Sequence, residues 1–497
     1  KGSNIKIINT EAVEFLLSEK FNSLIFKNKY MSEDKRPELL IRYEQMVKDH
    51  ANYYFDADDL EEIAYQYEIR DLYQKALEVI ERGLSMHPGS MSLGIKRAKY
   101  LLCLDCVEEA EKQIYSIPHD SVDAVLICAE LSFIQANGEQ AISLLSSLLS
   151  SDEMSVDLCF DIIDMYLDFG YIDELKDFIF AADKVLANGS EVLRELALIY
   201  EDRQEYDLAL SVYDILLDRD PYSYVDWFNT AKIHALKKDY DKAVDACDFA
   251  LTAKEGDETI LSFKGYCLYD NENYAQAIEV FKELLDVIED KSMIYELIAE
   301  CFTKLEKNED AIRYLDKALS YTPDNANLYY QQASNYYDLG DISNAIQRLR
   351  KSIELEPKDA DALAFLGEIY VEIKEFTEGK KFLEQSAKLN PENQDVLVLL
   401  GDLASQNSDY NTAISYYEQA LSTDIYNVKL TFKLILAHFN SGDQEKAVNM
   451  IGQLDETTLQ IDNVEDISEE NRKELEQTKE IIDKLKKILK EGLNEDL

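Results

Sequence analysis

Glycine and proline are scarce, 16 and 7 in 497 residues. So few turn-formers cannot serve the many tight turns of a sheet protein, and the chain reads as almost wholly helical. Basic residues are outnumbered, with 51 Lys and Arg against 99 Asp and Glu and a formal charge of −48. A field of that sign repels nucleic acid and anionic lipid surfaces, and it attracts basic partners or cations. No apolar run approaches the ~18–20 residues that span a bilayer, so a soluble protein is expected. The seven cysteines are dispersed and no secretory pattern opens the sequence. That suits a reducing, cytoplasmic setting better than a disulfide framework. The opening Lys1-Gly2-Ser3 reads as a trimmed or appended end, with Met31 as an alternative start.

What is present is order. Apolar residues make up 46% and aromatics 10%, including 32 Tyr, which separates the chain from acidic disordered segments. A small residue recurs every 34 positions at Ala209, Ala243, Ala277, Ala311, Ala345, Gly379, Ala413 and Ala447. Earlier steps reach Leu175 and Ala141 and, after one break of three residues, Ala110 and Ala76. A second small column reads Ala197, Ala231, Gly265, Ala299, Ala333, Gly367 and Gly401, then Ile435, and a proline column holds Pro88, Pro221, Pro323, Pro357 and Pro391.

A period of this length means stacked supersecondary units, none of which buries its apolar face alone. Each unit reads as two helices. Leu363, Leu366 and Tyr370 share one face. Phe376, Gly379, Leu383 and Ser386 share the next, and Pro391 stops it. The small columns let two helix axes approach to ~8 Å.

These columns resemble the tetratricopeptide repeat. In "LVLLGDLASQNSDYNTAISYYEQAL" the pattern is carried by Leu400-Gly401, Tyr410, Ala413, Tyr417 and Ala420-Leu421, and Trp227 takes the first large position of its unit. Twelve units fit: 57–90, a short one at 91–121, and ten of 34 residues from 122 to 461. The resemblance implies an all-α, right-handed superhelical solenoid of antiparallel helix pairs. The expected organisation is an N-terminal helical cap (1–56), the solenoid (57–461) and a C-terminal capping helix (462–497). In the first cap Pro37 opens a helix with Leu39, Leu40, Tyr43, Met46 and Val47 on one face; residues 4–30 form one more packed element; in the last cap Leu475, Ile482, Leu485 and Leu489 form a stripe.

No catalytic motif interrupts the array. There is no Gly-rich phosphate loop, HExxH or GxSxG. Cys103-Leu-Asp-Cys106 has no second CxxC or His pair to complete a zinc site, and "DNENY" at 270 lacks the glycine and distal Glu of a calcium loop. His234 and His438 occupy a column otherwise held by Tyr and read as satisfied, half-buried rings rather than bases. "YFDADDLEE" reads as a helix start. No catalytic residue, metal site or cofactor is expected.

The resemblance also implies that positions 2, 5, 9 and 12 of each first helix line a concave groove. Those positions hold Phe228, Tyr266, Tyr269, Glu296, Glu300, Tyr330, Tyr337, Glu368, Asp402, Phe432 and Phe439. Two readings stand side by side. In one, the rings pack on the neighbouring unit and the acids form a solvated face. In the other, aromatic platforms alternate with carboxylates that receive Lys or Arg. Lys232, Asn327 and Lys429 occupy groove positions but in scattered units, unlike the consecutive Lys and Asn of a carboxylate clamp. The expectation is a non-catalytic, cytoplasmic scaffold for a basic protein or peptide, without nucleic acid or membrane as partner. A self-associating structural protein and a regulatory module of a larger complex are the alternatives.

Overall fold

The computed structural model describes residues 36–51, 53–118, 121–423 and 427–452, with single positions at 480, 483 and 487. Segment 4–30 and the stripe Leu475, Ile482, Leu485 and Leu489 lie outside the described residues. Described residues form 24 α-helices, one 3-10 turn and a further helical stretch at 444–452, with no strand. The chain divides into two compact units, Lys1–Asn271 and Glu272–Leu497.

In the first unit α1 (Arg36–Lys48) is followed by α2 (Ala57–Glu68) and α3 (Tyr73–Met86), then α4 (Met91–Cys103) and α5 (Val107–Ile114). There follow α6 (Val122–Ile134) with α7 (Gly138–Ser147), α8 (Val156–Asp168) with α9 (Ile172–Val185), and α10 (Gly189–Asp202) with α11 (Tyr206–Arg219). Helices α12 (Tyr224–Leu236), α13 (Tyr240–Ala253) and α14 (Glu258–Asp270) complete it. The second unit begins with α15 (Tyr274–Val287), α16 (Ser292–Lys304) and α17 (Asn308–Tyr321). It continues through α18 (Ala326–Asp338), α19 (Ile342–Leu355), α20 (Ala360–Glu372), α21 (Phe376–Leu389), α22 (Gln394–Gln406), α23 (Tyr410–Thr423) and α24 (Val428–Ser441). Within each unit successive helices pack on one another. The even-numbered helices from α2 are the first helices of the repeats.

The starts are written in the sequence. Asp56, Ser90, Ser121, Ser155, Ser223, Asp257, Asn325, Asp359, Asn393 and Asn427 cap first helices by accepting a backbone N–H two or three residues on. The "YFDADDLEE" segment is such a start, with Asp56 taking the N–H of Asp59 at 2.8 Å. Second helices end two residues before the proline column, as at Leu355 before Pro357 and Leu389 before Pro391.

The turn inside each repeat carries a regularity of its own. Asp71, Asp105, Ala136, Gly170, Gln204, Lys238, Glu272, Glu306, Gly340, Lys374, Ser408 and Gly442 all have positive φ. They keep the 34-residue interval except across the shortened second repeat. One left-handed residue lets the chain reverse while its neighbours close the helix-end hydrogen bonds.

The small columns mark where the helices meet. Ala209, Ala243, Ala277, Ala311, Ala345, Ala413 and Ala447 are fully buried. A methyl on Gly367 would stand 2.7 Å from Leu383 Cγ, and one on Gly379 would stand 2.7 Å from Val371 Cγ2. In α1, Tyr43 and Met46 are buried and Val47 is exposed, so the expected apolar face is only partly covered by described residues.

Candidate interaction face

The eleven residues expected to line a groove lie on first helices, but most are already engaged. In the second unit Glu296 of α16 accepts Asn327 Nδ2 at 3.2 Å and Gln331 Nε2 at 2.7 Å from α18. Tyr337 of α18 donates its hydroxyl to Glu372 of α20 at 2.6 Å. Asp402 of α22 accepts Lys433 Nζ of α24 at 2.5 Å and Tyr417 Oη at 2.7 Å. Thr303 adds a bond to Asn335 at 2.9 Å. All but the Tyr417 bond join neighbouring first helices. Their chemistry binds the array together, a use that residue type alone does not reveal.

The rings divide in the same way. Tyr330 and Tyr337 both pack edge-on against Phe365, with centroids 5.8 and 5.3 Å away. Both phenols have pKa values pushed up to about 12, Tyr330 by burial and Tyr337 first by its bond to Glu372. Phe432 and Phe439 pack beside Ile435, Ala447 and Ile451. In the first unit Phe228 meets Phe263 edge-on at 5.4 Å, under Lys232 Nζ at 5.8 Å. Tyr266 is buried, so it cannot serve as an open platform, whereas Tyr269 is half-buried. Phe228, Tyr330 and Tyr337 thus each meet a ring on the next first helix, the arrangement of the first of the two readings. Glu300 is half-buried and Glu368 is open to solvent. Glu368 is crowded enough that its pKa is raised, with Asp395 adding to the effect.

A denser acidic run, not among the expected residues, crosses the first helices of the first unit. Glu130 lies on α6, Asp161, Asp164 and Asp168 on α8, and Glu195 and Asp202 on α10. Burial raises the pKa values of Glu130, Asp161, Asp164 and Glu195; acidic neighbours add to it at Asp164 and Glu195, whereas at Glu130 and Asp161 Lys99 pulls down more strongly than any one acidic neighbour pushes up. None of those four has an ion-pair partner among the described residues. The nearest cations are at the ends: Lys99 bonds Glu68 at 2.6 Å, and Lys232 faces Glu201. The signal was available, since these acids recur on successive first helices, but they sit in repeats that match the pattern poorly.

Models of the tetratricopeptide repeat match residues 194–258, 336–403 and 394–424. A model described as anaphase-promoting complex, cyclosome, subunit 3 matches residues 236–318. The chain belongs to the tetratricopeptide-repeat family. Similar solved structures include the C-terminal part of a TPR repeat-containing protein from Cytophaga hutchinsonii (21% identity, 46% of this chain and 93% of that chain, TM-score 0.39). Pseudomonas aeruginosa pilF is similar at 20% identity over 44% of this chain and 93% of its own, with a TM-score of 0.34. YrrB, described as a TPR protein with an unusual peptide-binding site, is similar at 18% identity over 37% and 95%, with a TM-score of 0.32. No curated protein matches the chain.

Tetratricopeptide-repeat arrays are interaction scaffolds for proteins and peptides and are generally not enzymes, and no catalytic family matches here. Of the residues at clamp positions, Asn327 bonds Glu296 and Lys232 stands beside Glu201. Among the described residues no helix is long and apolar enough to cross a membrane.

Proposed function

We propose that this tetratricopeptide-repeat chain is a cytoplasmic scaffold whose first-helix faces hold a basic protein or peptide. The reading rests on one observation above all. Glu130, Asp161, Asp164 and Glu195 crowd successive first helices without an ion-pair partner among the described residues, and Lys99, bonded to Glu68, acts only on the first two. Mutual repulsion and partial desolvation make that run costly in the free protein, and a row of Lys or Arg side chains would relieve it. Glu368 and the half-buried rings of Tyr330 and Phe365 give the second unit a smaller face of the same character. The same reading keeps 57–461 as the working array, with 1–56 and 462–497 as its ends.

Anisotropy of a labelled Lys/Arg-rich peptide against the full chain, at two salt concentrations, tests the proposal. Expected is salt-sensitive binding, with no binding of an acidic peptide of equal length. An Asp164→Lys/Glu195→Lys variant should lose at least about tenfold in affinity, roughly 1.4 kcal/mol. Unchanged affinity in that variant would remove the acidic face from the explanation.

A further inference from the structure

The two histidines in the tyrosine column are neither satisfied nor alone. His234 and His438 stand six periods apart, one in each compact unit, and their surroundings repeat in charge at three positions. Five positions after each comes an aspartate, Asp239 or Asp443, whose N–H bonds the histidine carbonyl at 2.8 or 3.0 Å. Eight positions after each comes a lysine, Lys242 or Lys446. Twenty positions before each, on the preceding second helix, comes an acid, Asp214 or Glu418.

Three of their ring nitrogens are buried without a hydrogen bond. His438 is 3% exposed, and neither of its ring nitrogens has a partner. Its Nδ1 is 3.6 Å from Asp443 Oδ2 and its Nε2 is 3.9 Å from Glu418 Oε1. His234 Nδ1 is likewise buried and unpaired, 4.0 Å from Asp239 Oδ2. At His234 the nearest acid, Asp239, is occupied by a lysine; at His438 the nearer acid, Asp443, holds no lysine side chain among the described residues and the farther one, Glu418, does. Lys242 Nζ bonds Asp239 at 2.7 Å, and Lys446 Nζ bonds Glu418 at 2.9 Å.

We propose that His234 and His438 are matched acid-sensitive joints, in which a proton on the ring competes with the neighbouring lysine for the same carboxylate and loosens the sixth and twelfth repeats. An imidazolium must draw a carboxylate inward for each enclosed N–H group. At His234 Nδ1 that carboxylate is Asp239, which already holds Lys242, and at His438 Asp443 can turn to Nδ1 while Nε2 competes with Lys446 for Glu418. The groups facing His234 are Asp214 from α11, Lys237 at the end of α12, Asp239 in the turn and Lys242 of α13. Those facing His438 are Glu418 from α23, Asp443 in the turn and Lys446 of the 444–452 helix. Burial, the largest influence on both rings, disfavours the charged form, and the lysines add to it. A histidine whose folded pKa lies below its unfolded value of about 6.5 contributes stability above that pH, lost as pH falls through it. The device is independent of which partner the first-helix faces take.

Amide hydrogen exchange on the full chain at about pH 7.5 and about pH 5.5, corrected for intrinsic rates, reads the joints directly. Expected is a several-fold loss of protection at the lower pH within 224–253 and 428–452, larger than in the other repeats. A His234→Tyr/His438→Tyr variant, which installs the ring found at Tyr166, Tyr200 and Tyr370 in the same column, should lose that localised response. Proton titration of the ring resonances in the unmodified chain supplies a readout free of mutation, with His50 and His87 for comparison. An unchanged exchange response in the double variant, or rings titrating at or above the ordinary value, would overturn the proposal.

Discussion

Gly401 of α22 faces the ring of Tyr417 of α23 so closely that a methyl there would stand 2.4 Å from Cε1. The ring cannot step aside, because its hydroxyl is tied to Asp402 at 2.7 Å and Asp402 is held by Lys433. Gly401→Ala should therefore cost about 1–3 kcal/mol by overpacking. Denaturant unfolding checks it, and a Gly401→Ala/Tyr417→Leu pair should recover part of the loss. An unchanged midpoint in the single variant would mean that the helices separate freely at this contact.

The left-handed turn residue gives a prediction with two signs. Gly340 has φ +76° and open space around its Cα, so Gly340→Ala is expected to cost about 1 kcal/mol through backbone strain alone. Lys374 occupies the equivalent place with φ +66°. Lys374→Gly removes the strain, though the more flexible unfolded chain offsets part of the gain, leaving about 0.5 kcal/mol of stabilisation. Both are read as shifts in unfolding midpoint. Equal signs for the two substitutions would break the link to φ.

That turn shows where sequence reading stops. The 34-residue columns are legible because steric contact between helices leaves small residues at fixed intervals. The left-handed position is held by Asp, Ala, Gln, Lys, Glu and Ser as well as Gly, so no residue type announces it. The face was only half legible for a related reason. Glu296, Tyr337 and Asp402 could be placed on first helices from spacing, but their partners lie 31 to 35 residues away on the next one. A carboxylate facing a guest and a carboxylate bonded to its neighbour look alike until both helices are placed. The same limit holds at His438, where the tyrosine column predicts a buried ring but not that its nitrogens find no donor or acceptor.

Arg194 and Asp226 form the most enclosed ion pair in the first unit, joining α10 to α12. Nε and Nη2 reach the two carboxylate oxygens at 2.6 and 2.9 Å, Ser223 Oγ donates to one of them at 2.6 Å, and Asp226 has no exposed surface. Arg194→Met should destabilise by about 3–5 kcal/mol, because it strands a buried charge. Replacing both partners by Arg194→Met/Asp226→Leu should restore much of that loss. A double variant no better than the single would show that the capping bond from Ser223, rather than the pair, carries the stability.

The seven thiols should separate by position when a disulfide reagent is added to the native protein near pH 8. Cys103 and Cys106 are exposed, Cys128 is half-buried, and Cys159, Cys247, Cys267 and Cys301 are buried. Burial pushes the Cys159 thiol up to about 11 and those of Cys247 and Cys301 up to about 12, and it raises Cys267 as well. A buried thiol held protonated is a poor nucleophile on both counts. Cys103, although exposed, is also raised, first by burial and then by Glu130, so Cys106 should react ahead of it. Peptide mapping after timed labelling reads the order: Cys106, then Cys103, with the four buried thiols modified only once denaturant opens the helix pairs. Early labelling of Cys247 or Cys267 would mean that the repeats from α12 to α14 open on the labelling timescale, contrary to the packing of Ala231, Ala243 and Phe263 around them.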